Sequence, residues 1–210
     1  MAAAVYRKKT YDFYKSLYVV AYQQDLHFKQ FFKVLELMGK EWAKDLVHVS
    51  YGMVSMEDGA MSTRTGKVVL LEDVLDKCVE KARAVIEEKN AALENKDEIA
   101  RQVGTGAVIF GALYNNKIKD IVFSFDKVLN FDGETCPYVQ YTGARCNSVL
   151  KKGGAAGAYA VKELTEEEYS LVSLLGNFGE VVKEAGEKYE PSYVTRYAVD
   201  LAKAYNRFYI

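Results

Sequence analysis

A short segment that combines hydroxyl groups with positive charge is the part of the sequence best suited to chemistry. Ser62, Thr63, Arg64 and Lys67 lie within it, and glycines on both sides predict a loop. Arginine offers phosphate oxygens a planar fork, and lysine offers them a point charge. Such cations could close over a bound nucleotide and stabilise charge on a leaving pyrophosphate. Basic loops with hydroxyl groups are common, so this segment alone does not define a function.

Two polar residues follow a short apolar run that is typical of a buried strand. The run covers residues 17–21, and Gln24 and His27 come soon after it. A neutral amide both donates and accepts hydrogen bonds, so Gln24 could orient a substrate without adding charge. Ligands of parallel sheets lie beyond the carboxyl ends of the strands, where Gln24 is expected. On spacing alone, His27 fits a structural histidine at a helix start better than a site residue.

A second apolar run alternates around His48 and also predicts a strand, over residues 46–51. Residues 52–67 follow it and contain glycine, serine, threonine and aspartate, which predicts a loop. His48 is as well explained by a place in the strand as by a role in a site. Gly52, Met53 and Val54 come directly after the predicted strand.

Further elements must hold these groups in place. The apolar residues recur at helical spacing in three segments and form short continuous runs in two others. The predicted helices cover residues 28–38, 72–86 and 99–110, and the predicted strands cover 68–71 and 121–125. Short apolar strands between helices are typical of an α/β layer with a mostly parallel sheet.

The sequence after Gly133 has a different character and predicts helices only. Thr165 and Glu168 form a capping box that opens a helix extending through Val182. Pro191 suits the first turn of a last helix. The apolar stripe of that helix continues to Ile210 without a stop signal, so we expect it to be incompletely covered and to promote self-association.

Composition restricts the class of protein. Half of the 210 residues are hydrophobic, 27% are charged and the formal net charge is −1, so a folded core is expected and no global basic charge announces a nucleic acid. The three cysteines are widely spaced and form no CxxC pair, which argues against a zinc site or a disulfide framework and favours a reducing cytoplasm. No apolar run has the length of a membrane span, and no secretory signal is recognisable.

Four stretches stand out in order along the chain. They read YVVAYQQDLHF at 18–28, HVSYGMV at 48–54, MSTR at 61–64, and PYVQY at 137–141 with Ala144 and Arg145. Together they resemble the arginyl-tRNA synthetase family of class I synthetases. The first resembles the strand-to-helix signature beside the amino-acid pocket, and the second the segment whose backbone meets adenine. The third resembles the arginyl version of the KMSKS loop, and the fourth the junction into the anticodon-binding bundle.

The resemblance implies a role for each matching residue. The pocket for substrate arginine would contain Gln24 and His27. The ATP-binding residues would be His48, Gly52, Met53, Val54 and Met61. Catalysis at the phosphates would fall to Ser62, Thr63, Arg64 and Lys67. Binding of tRNA would need a local group of cations near the junction, namely Arg145, Lys151 and Lys152.

The resemblance also implies a fold, an activity and partners. Residues 1–133, with the signature loop at 60–67, would be the second half of a Rossmann-type nucleotide-binding domain with a parallel sheet. Residues 134–210 would begin an all-α bundle, the DALR-type anticodon-binding domain. The activity would be that of a cytoplasmic arginine–tRNA ligase. Its partners would be arginine, ATP with Mg²⁺ and the arginine-specific tRNA, with no tightly bound protein metal and no membrane.

The sequence departs from the family pattern in two respects. Ala60 and Thr63 stand where the general class I loop has lysines, which leaves Arg64 and Lys67 as the cations of the loop. No H-x-G-H motif occurs, so the chain is expected to be a fragment without the HIGH half of the catalytic domain. An alternative function is therefore a catalytically inactive module that binds tRNA or a protein. The oligomeric state is left open.

Overall fold

The computed structural model describes residues 1–57, 69–153 and 163–209. The contacts between residues divide the chain into two units. Unit 1 comprises Met1–Val54 together with Lys117–Ile121, and unit 2 comprises Ser55–Asn116 together with Val122–Ile210. Each unit therefore contains residues that are distant in the sequence.

Unit 1 is built around two parallel strands, β1 (Ser16–Ala21) and β2 (Leu46–Tyr51). Ser16 pairs with Leu46 at one end of the register and Ala21 pairs with Tyr51 at the other. The core lies beside this pair and contains Leu35, which is fully buried, and a set of surrounding aromatic side chains. The other elements of unit 1 are α1 (Ala2–Tyr11), a 3₁₀ turn (Tyr22–Gln24), α2 (Asp25–Leu37) and a second 3₁₀ turn (Glu41–Asp45).

Two long helices of unit 2, α3 (Leu71–Lys89) and α4 (Lys96–Tyr114), pack closely on each other. Gly104 allows this approach, because a Cβ atom at that position would lie 2.6 Å from the backbone nitrogen of Val79. Val74, Cys78 and Val108 form the adjoining core. The short elements here are β3 (Val54–Met56), which pairs with β4 (Ile121–Phe123), and α5 (Phe125–Val128).

The remaining helices of unit 2 are arranged around the last one, α9 (Ser192–Tyr209), which contacts α4 and the three others. The hydroxyl of Tyr197 donates to the carbonyl of Leu174 over 2.9 Å, so a buried ring of α9 also closes the end of a neighbouring helix. These neighbours are α6 (Cys136–Gly153), α7 (Glu166–Gly176) and α8 (Phe178–Lys188).

Most predicted elements are confirmed. The strand over residues 46–51 has the predicted bounds, and Thr165 and Glu168 form the predicted capping box. The α/β class is confirmed as a mostly helical fold with a small parallel pair of strands. The division at residues 133 and 134 stays a prediction.

Other predictions were wrong. Residues 69 and 70 are not in a strand and Leu71 already begins α3, because the acidic first turn and the long apolar stripe favour the helix. The helix predicted through Val182 ends at Gly176, and α8 starts after Asn177, whose backbone N–H closes the last turn of α7. The strand predicted over 121–125 ends at Phe123. Part of the predicted loop after Gly52 is the strand β3.

The last helix is better covered than its sequence indicates. Tyr197, Val199 and Ala202 are buried, because α9 packs on several helices rather than on one. Phe208 and Tyr209 keep about half of their surface exposed. Among the described residues, no helix combines the length and the apolar character that a membrane crossing requires.

Candidate active site

The two parallel strands of unit 1 end side by side, and this arrangement creates the candidate site. Ala21 and Tyr51 are paired, so the chain leaves both strands at the same edge of the sheet. The 3₁₀ turn with Gln24 follows β1, and Gly52 and Met53 follow β2. The structure thus places the segments that were predicted to bind arginine and adenine at one edge of the sheet.

Gln24 and His27 are both exposed at this edge. Gln24 ends the 3₁₀ turn, and His27 lies in the first turn of α2. The imidazole of His27 stacks on Phe31, with 6.2 Å between ring centroids, and meets the edge of Phe28. An aromatic neighbour on one side fixes the ring while leaving it accessible, so His27 is not a core histidine.

His48 uses its ring within unit 1. Its Nε2 lies 2.9 Å from the carbonyl oxygen of Val20, and its Nδ1 lies 3.2 Å from a carboxylate oxygen of Asp25. The ring stacks on Phe28 at 4.3 Å between centroids, and the side chain is only 10% exposed. A neutral imidazole donates to one of these acceptors, whereas an imidazolium donates to both. His48 therefore ties the end of β1 to the start of α2.

Gly52 and Met53 are held by a distant piece of the chain, the segment Lys117–Ile121. The N–H of Gly52 donates to the carbonyl of Lys117 over 2.6 Å, and the N–H of Ile121 donates to the carbonyl of Met53 over 2.8 Å. A Cβ atom on Gly52 would lie 2.4 Å from the backbone carbonyl of Lys119, so only glycine permits this approach. The two segments are thus linked by backbone hydrogen bonds, like neighbouring strands of a sheet.

Asp120 adds a side-chain contact to this junction. One carboxylate oxygen accepts the N–H of Met53 over 2.6 Å, and the other accepts the hydroxyl of Tyr22 over 3.4 Å. Sequence reasoning missed Asp120, Tyr22 and Asp25 as residues of the site. The position of Asp25 at the start of a helix, next to a strand that contains His48, could have indicated this residue. No local signal in the sequence connects Asp120 with Met53.

An apolar surface remains beside these polar contacts. The side chains of Tyr51, Met53 and Val54 are each about 40% exposed. Because the N–H groups of Gly52 and Met53 are engaged by the segment Lys117–Ile121, this part of the edge exposes mainly apolar side chains. Apolar side chains suit packing against a planar ring.

The signature segment contributes nothing to the described geometry. Met61, Ser62, Thr63, Arg64 and Lys67 lie outside the described residues, as does Ala60. Among the residues that the structure describes, no group of three or more histidine, cysteine or acidic side chains could hold a metal ion.

The three predicted tRNA-binding cations differ in their surroundings. Arg145 lies over the ring of Tyr209, 4.2 Å from its centroid, and donates to the side-chain oxygen of Asn206 over 2.9 Å. Lys151 and Lys152 are exposed in the last turn of α6. Arg145 therefore joins α6 to α9, whereas the lysines face solvent.

Comparison with known protein families gives two matches. Residues 1–125 match the family described as tRNA synthetases class I (R), catalytic domain. The chain belongs to the class I arginyl-tRNA synthetase family. Residues 139–210 match the DALR anticodon binding domain, so the chain matches both family models in succession.

Curated relatives and solved structures agree with this assignment. An arginine–tRNA ligase of Halothermothrix orenii is 55% identical, and one of Clostridium botulinum is 53% identical, in both cases over the whole of this chain. The chain spans 38% of the length of each. Thermus thermophilus arginyl-tRNA synthetase has 34% identity and a TM-score of 0.85 over 93% of this chain and 33% of its own. A Plasmodium falciparum arginyl-tRNA synthetase shares the fold, with 21% identity and a TM-score of 0.78 over 99% of this chain and 36% of its own.

Proposed function

We propose that this chain forms part of an arginine–tRNA ligase, which activates arginine with ATP and transfers it to tRNA. The observation that carries the proposal is that β1 and β2 end level with each other, so that the turn ending at Gln24 and the segment starting at Gly52 leave the sheet at the same edge. Parallel sheets bind their ligands beyond the carboxyl ends of neighbouring strands. The names of the relatives from Halothermothrix orenii and Clostridium botulinum support the same activity.

Gln24 and His27 act on the substrate arginine. Both side chains are exposed at the edge of the sheet. The amide of Gln24 orients the amino acid through hydrogen bonds in both directions, and the ring of His27 is held by Phe28 and Phe31. Arginine brings its own positive charge, so neutral groups that do not repel it suit this pocket.

Gly52, Met53 and Val54 act on ATP. The exposed apolar side chains of Met53 and Val54 support contact with the adenine ring, and Gly52 keeps the segment in position. His48 serves ATP and arginine indirectly, since its ring nitrogens are directed to Val20 and Asp25. Met61 completes the ATP-binding set by its place in the signature segment.

The phosphates of ATP are the targets of the signature segment. Arg64 and Lys67 neutralise the charge that moves to the leaving pyrophosphate, and Ser62 and Thr63 donate hydrogen bonds to phosphate oxygens. Mg²⁺ accompanies ATP as part of the substrate. This assignment rests on the family motif in the sequence.

The second part of the chain acts on tRNA. We divide the chain into residues 1–133, the second half of a Rossmann-type domain, and residues 134–210, the beginning of a helical anticodon-binding bundle. Lys151 and Lys152 are exposed and suit contacts with phosphates. Arg145 contributes to the same surface while bracing α6 against α9. Self-association through the exposed end of α9, at Phe208 and Tyr209, is part of this proposal.

Arginine-dependent exchange of pyrophosphate into ATP tests the activity, and it is best measured with and without tRNA in a full-length enzyme that carries this segment. We expect Gln24→Ala to raise the KM for arginine about ten-fold and to leave the KM for ATP near normal, because a neutral hydrogen bond to the substrate is lost. Gln23→Ala is the matched control, since Gln23 is the neighbouring exposed glutamine of the same turn. Equal damage to both KM values would oppose the assignment of Gln24.

A second test of the activity uses the 210-residue polypeptide on its own. We expect no exchange from it, because it contains no H-x-G-H motif. Binding of tRNA by this polypeptide in the absence of exchange would favour the alternative, a binding module without catalysis. Exchange above the level of a no-enzyme control would contradict our expectation.

A further inference from the structure

The ATP side and the arginine side of the candidate site follow different strands, so something must fix the distance between them. Pairing of β1 with β2 aligns the strands only as far as Ala21 and Tyr51. Beyond that point the chain forms a 3₁₀ turn on one side and the segment Gly52–Met53 on the other. A catalytic constellation needs positions held to a fraction of an ångström.

Asp120 contacts both sides of this edge. Its two carboxylate oxygens accept from different partners: the N–H of Met53 over 2.6 Å and the hydroxyl of Tyr22 over 3.4 Å. Met53 belongs to the ATP-binding segment, and Tyr22 begins the turn that ends at Gln24. Each oxygen of one rigid carboxylate therefore meets one side of the site.

The backbone around Asp120 is fixed independently of its side chain. The N–H of Gly52 donates to the carbonyl of Lys117, and the carbonyl of Met53 accepts from the N–H of Ile121. Lys117 and Ile121 lie on either side of Asp120 in the sequence. Gly52 also packs closely on the backbone of Lys119, where a Cβ atom on Gly52 would lie 2.4 Å from the carbonyl. The backbone thus fixes where the carboxylate lies, and its two hydrogen bonds require little further loss of conformational entropy.

We propose that Asp120 is a positioning residue that couples the ATP side of the site to the arginine side. This inference rests on the proposed function. The two contacts differ in strength, because the bond to the Met53 N–H is short and charge-assisted, whereas the bond to the Tyr22 hydroxyl is long. Asp120 accordingly acts mainly on ATP and, through Tyr22, more weakly on arginine.

Steady-state pyrophosphate exchange in a full-length enzyme that carries this segment tests the proposal. We expect Asp120→Ala to raise the KM for ATP roughly five- to ten-fold and the KM for arginine about two-fold. Asp120→Asn keeps an oxygen for the Met53 N–H and should restore the KM for ATP to within about two-fold of the wild type. Tyr22→Phe removes only the weaker contact, so it should raise the KM for arginine about two-fold and leave that for ATP unchanged.

A second measurement addresses the bond itself in the 210-residue chain. Hydrogen exchange at the Met53 amide should become about ten-fold faster in Asp120→Ala, while the amides of β2 exchange as in the wild type. Asp120→Ser replaces the alanine variant if that variant does not fold, because the shorter side chain also fails to reach Met53. The same expectations apply to it.

Three results would overturn the coupling role. They are an unchanged KM for ATP in a folded Asp120→Ala or Asp120→Ser enzyme, an equal rise in both KM values, and an unchanged exchange rate at the Met53 amide. A wild-type enzyme without arginine-dependent exchange would instead defeat the proposed function. Failure of the inference is thus distinguishable from failure of the function on which it rests.

Discussion

The strand-end edge of unit 1, where β1 and β2 finish, and the helical end of unit 2 use the same kinds of contact for different purposes. At the strand-end edge, side chains of His48 and Asp120 contact backbone groups beside exposed residues. At the helical end, Arg145 of α6 binds Asn206 of α9, and Lys203 of α9 binds Glu134, which precedes α6, over 2.6 Å. The difference teaches that side-chain contacts alone do not distinguish a candidate site from a helix junction, whereas the exposure of the neighbouring side chains does.

Two arginines, Arg64 of the signature segment and Arg145 of α6, separate the proposed roles most sharply. In a full-length enzyme, we expect Arg64→Ala to slow formation of the adenylate by about 10²–10³-fold, because it removes a cation that acts on the charge of the transition state. Single-turnover kinetics at saturating ATP and arginine would measure this. A normal rate with only a raised KM for arginine would contradict the role of Arg64.

Arg145→Ala is the matched control for that experiment. It should leave the adenylate rate within about two-fold of the wild type at saturating tRNA. It should also lower the free energy of unfolding by about 1–2 kcal/mol, because α6 loses a hydrogen bond and a cation–π contact with α9.

Two glycines extend the comparison from charge to close packing. Gly52→Ala should reduce pyrophosphate exchange by about 10²-fold, since its Cβ atom meets the backbone of Lys119 and must displace the ATP-binding segment. Gly104→Ala meets the backbone of Val79 in unit 2, so it should lower the unfolding temperature without changing the KM for ATP. Exchange assays and thermal unfolding of both variants check the two expectations.

Gly143→Ala is the control for these glycines, because nothing lies within 4 Å of its Cβ position. It lies in α6, where alanine is the better helix former, so its unfolding temperature should be unchanged or slightly raised. If Gly52→Ala behaved like Gly143→Ala, the segment Lys117–Ile121 would not constrain the site.

The smallest expected effect concerns acid. Hydrogen bonds from Lys203 and Tyr114 hold the pKa of Glu134 below its usual value, and burial together with Glu134 raises the pKa of Tyr114 to about 12. A carboxyl group with a lowered pKa in the folded state stabilises that state above its unfolded pKa, and this stability is lost as the pH falls through the folded pKa. The free energy of unfolding should therefore decrease on acidification towards pH 4 and below.

Glu134→Gln isolates that contribution. The variant should lose the acid-dependent part of stability that belongs to Glu134, while the pH dependence of the KM for ATP remains as in the wild type. Urea unfolding at a series of pH values measures the first quantity. Identical stability profiles for the variant and the wild type would show that Glu134 does not stabilise the junction of α4 and α9.

Local signals in the sequence predicted much of the fold. The alternating run 46–51 and the capping box at Thr165 depend on neighbours in the chain. The strand was predicted with the correct bounds and the capping box with the correct residues. The contact between residues 117–121 and Gly52 could not be predicted, because no periodicity or motif in the sequence indicates a partner 65 residues away. Asn177 was missed for another reason: the apolar pattern continues across it although the helix does not.

The candidate site was predictable to a similar degree. Motifs after two predicted strands indicated the two parts of the candidate site, and the parallel register was needed to show that both strands end at the same edge of the sheet. His48 could not be assigned from its position in a strand, since only the distances to Val20 and Asp25 reveal where its nitrogens are directed. The coverage of α9 was underestimated because a stripe in one sequence segment does not specify how many helices pack on it.

The discontinuity of unit 1 has a consequence for synthesis on the ribosome. Residues 1–54 emerge before the 62 residues from 55 to 116, and the segment Lys117–Ile121 follows only after them. Because translation adds about 5–20 residues per second, roughly 3–12 s pass between the synthesis of β1 and β2 and that of the segment Lys117–Ile121. During that interval Gly52 and Met53 lack the carbonyl and amide partners that they have in the finished unit, so the backbone of this edge is left open to water or to a chaperone.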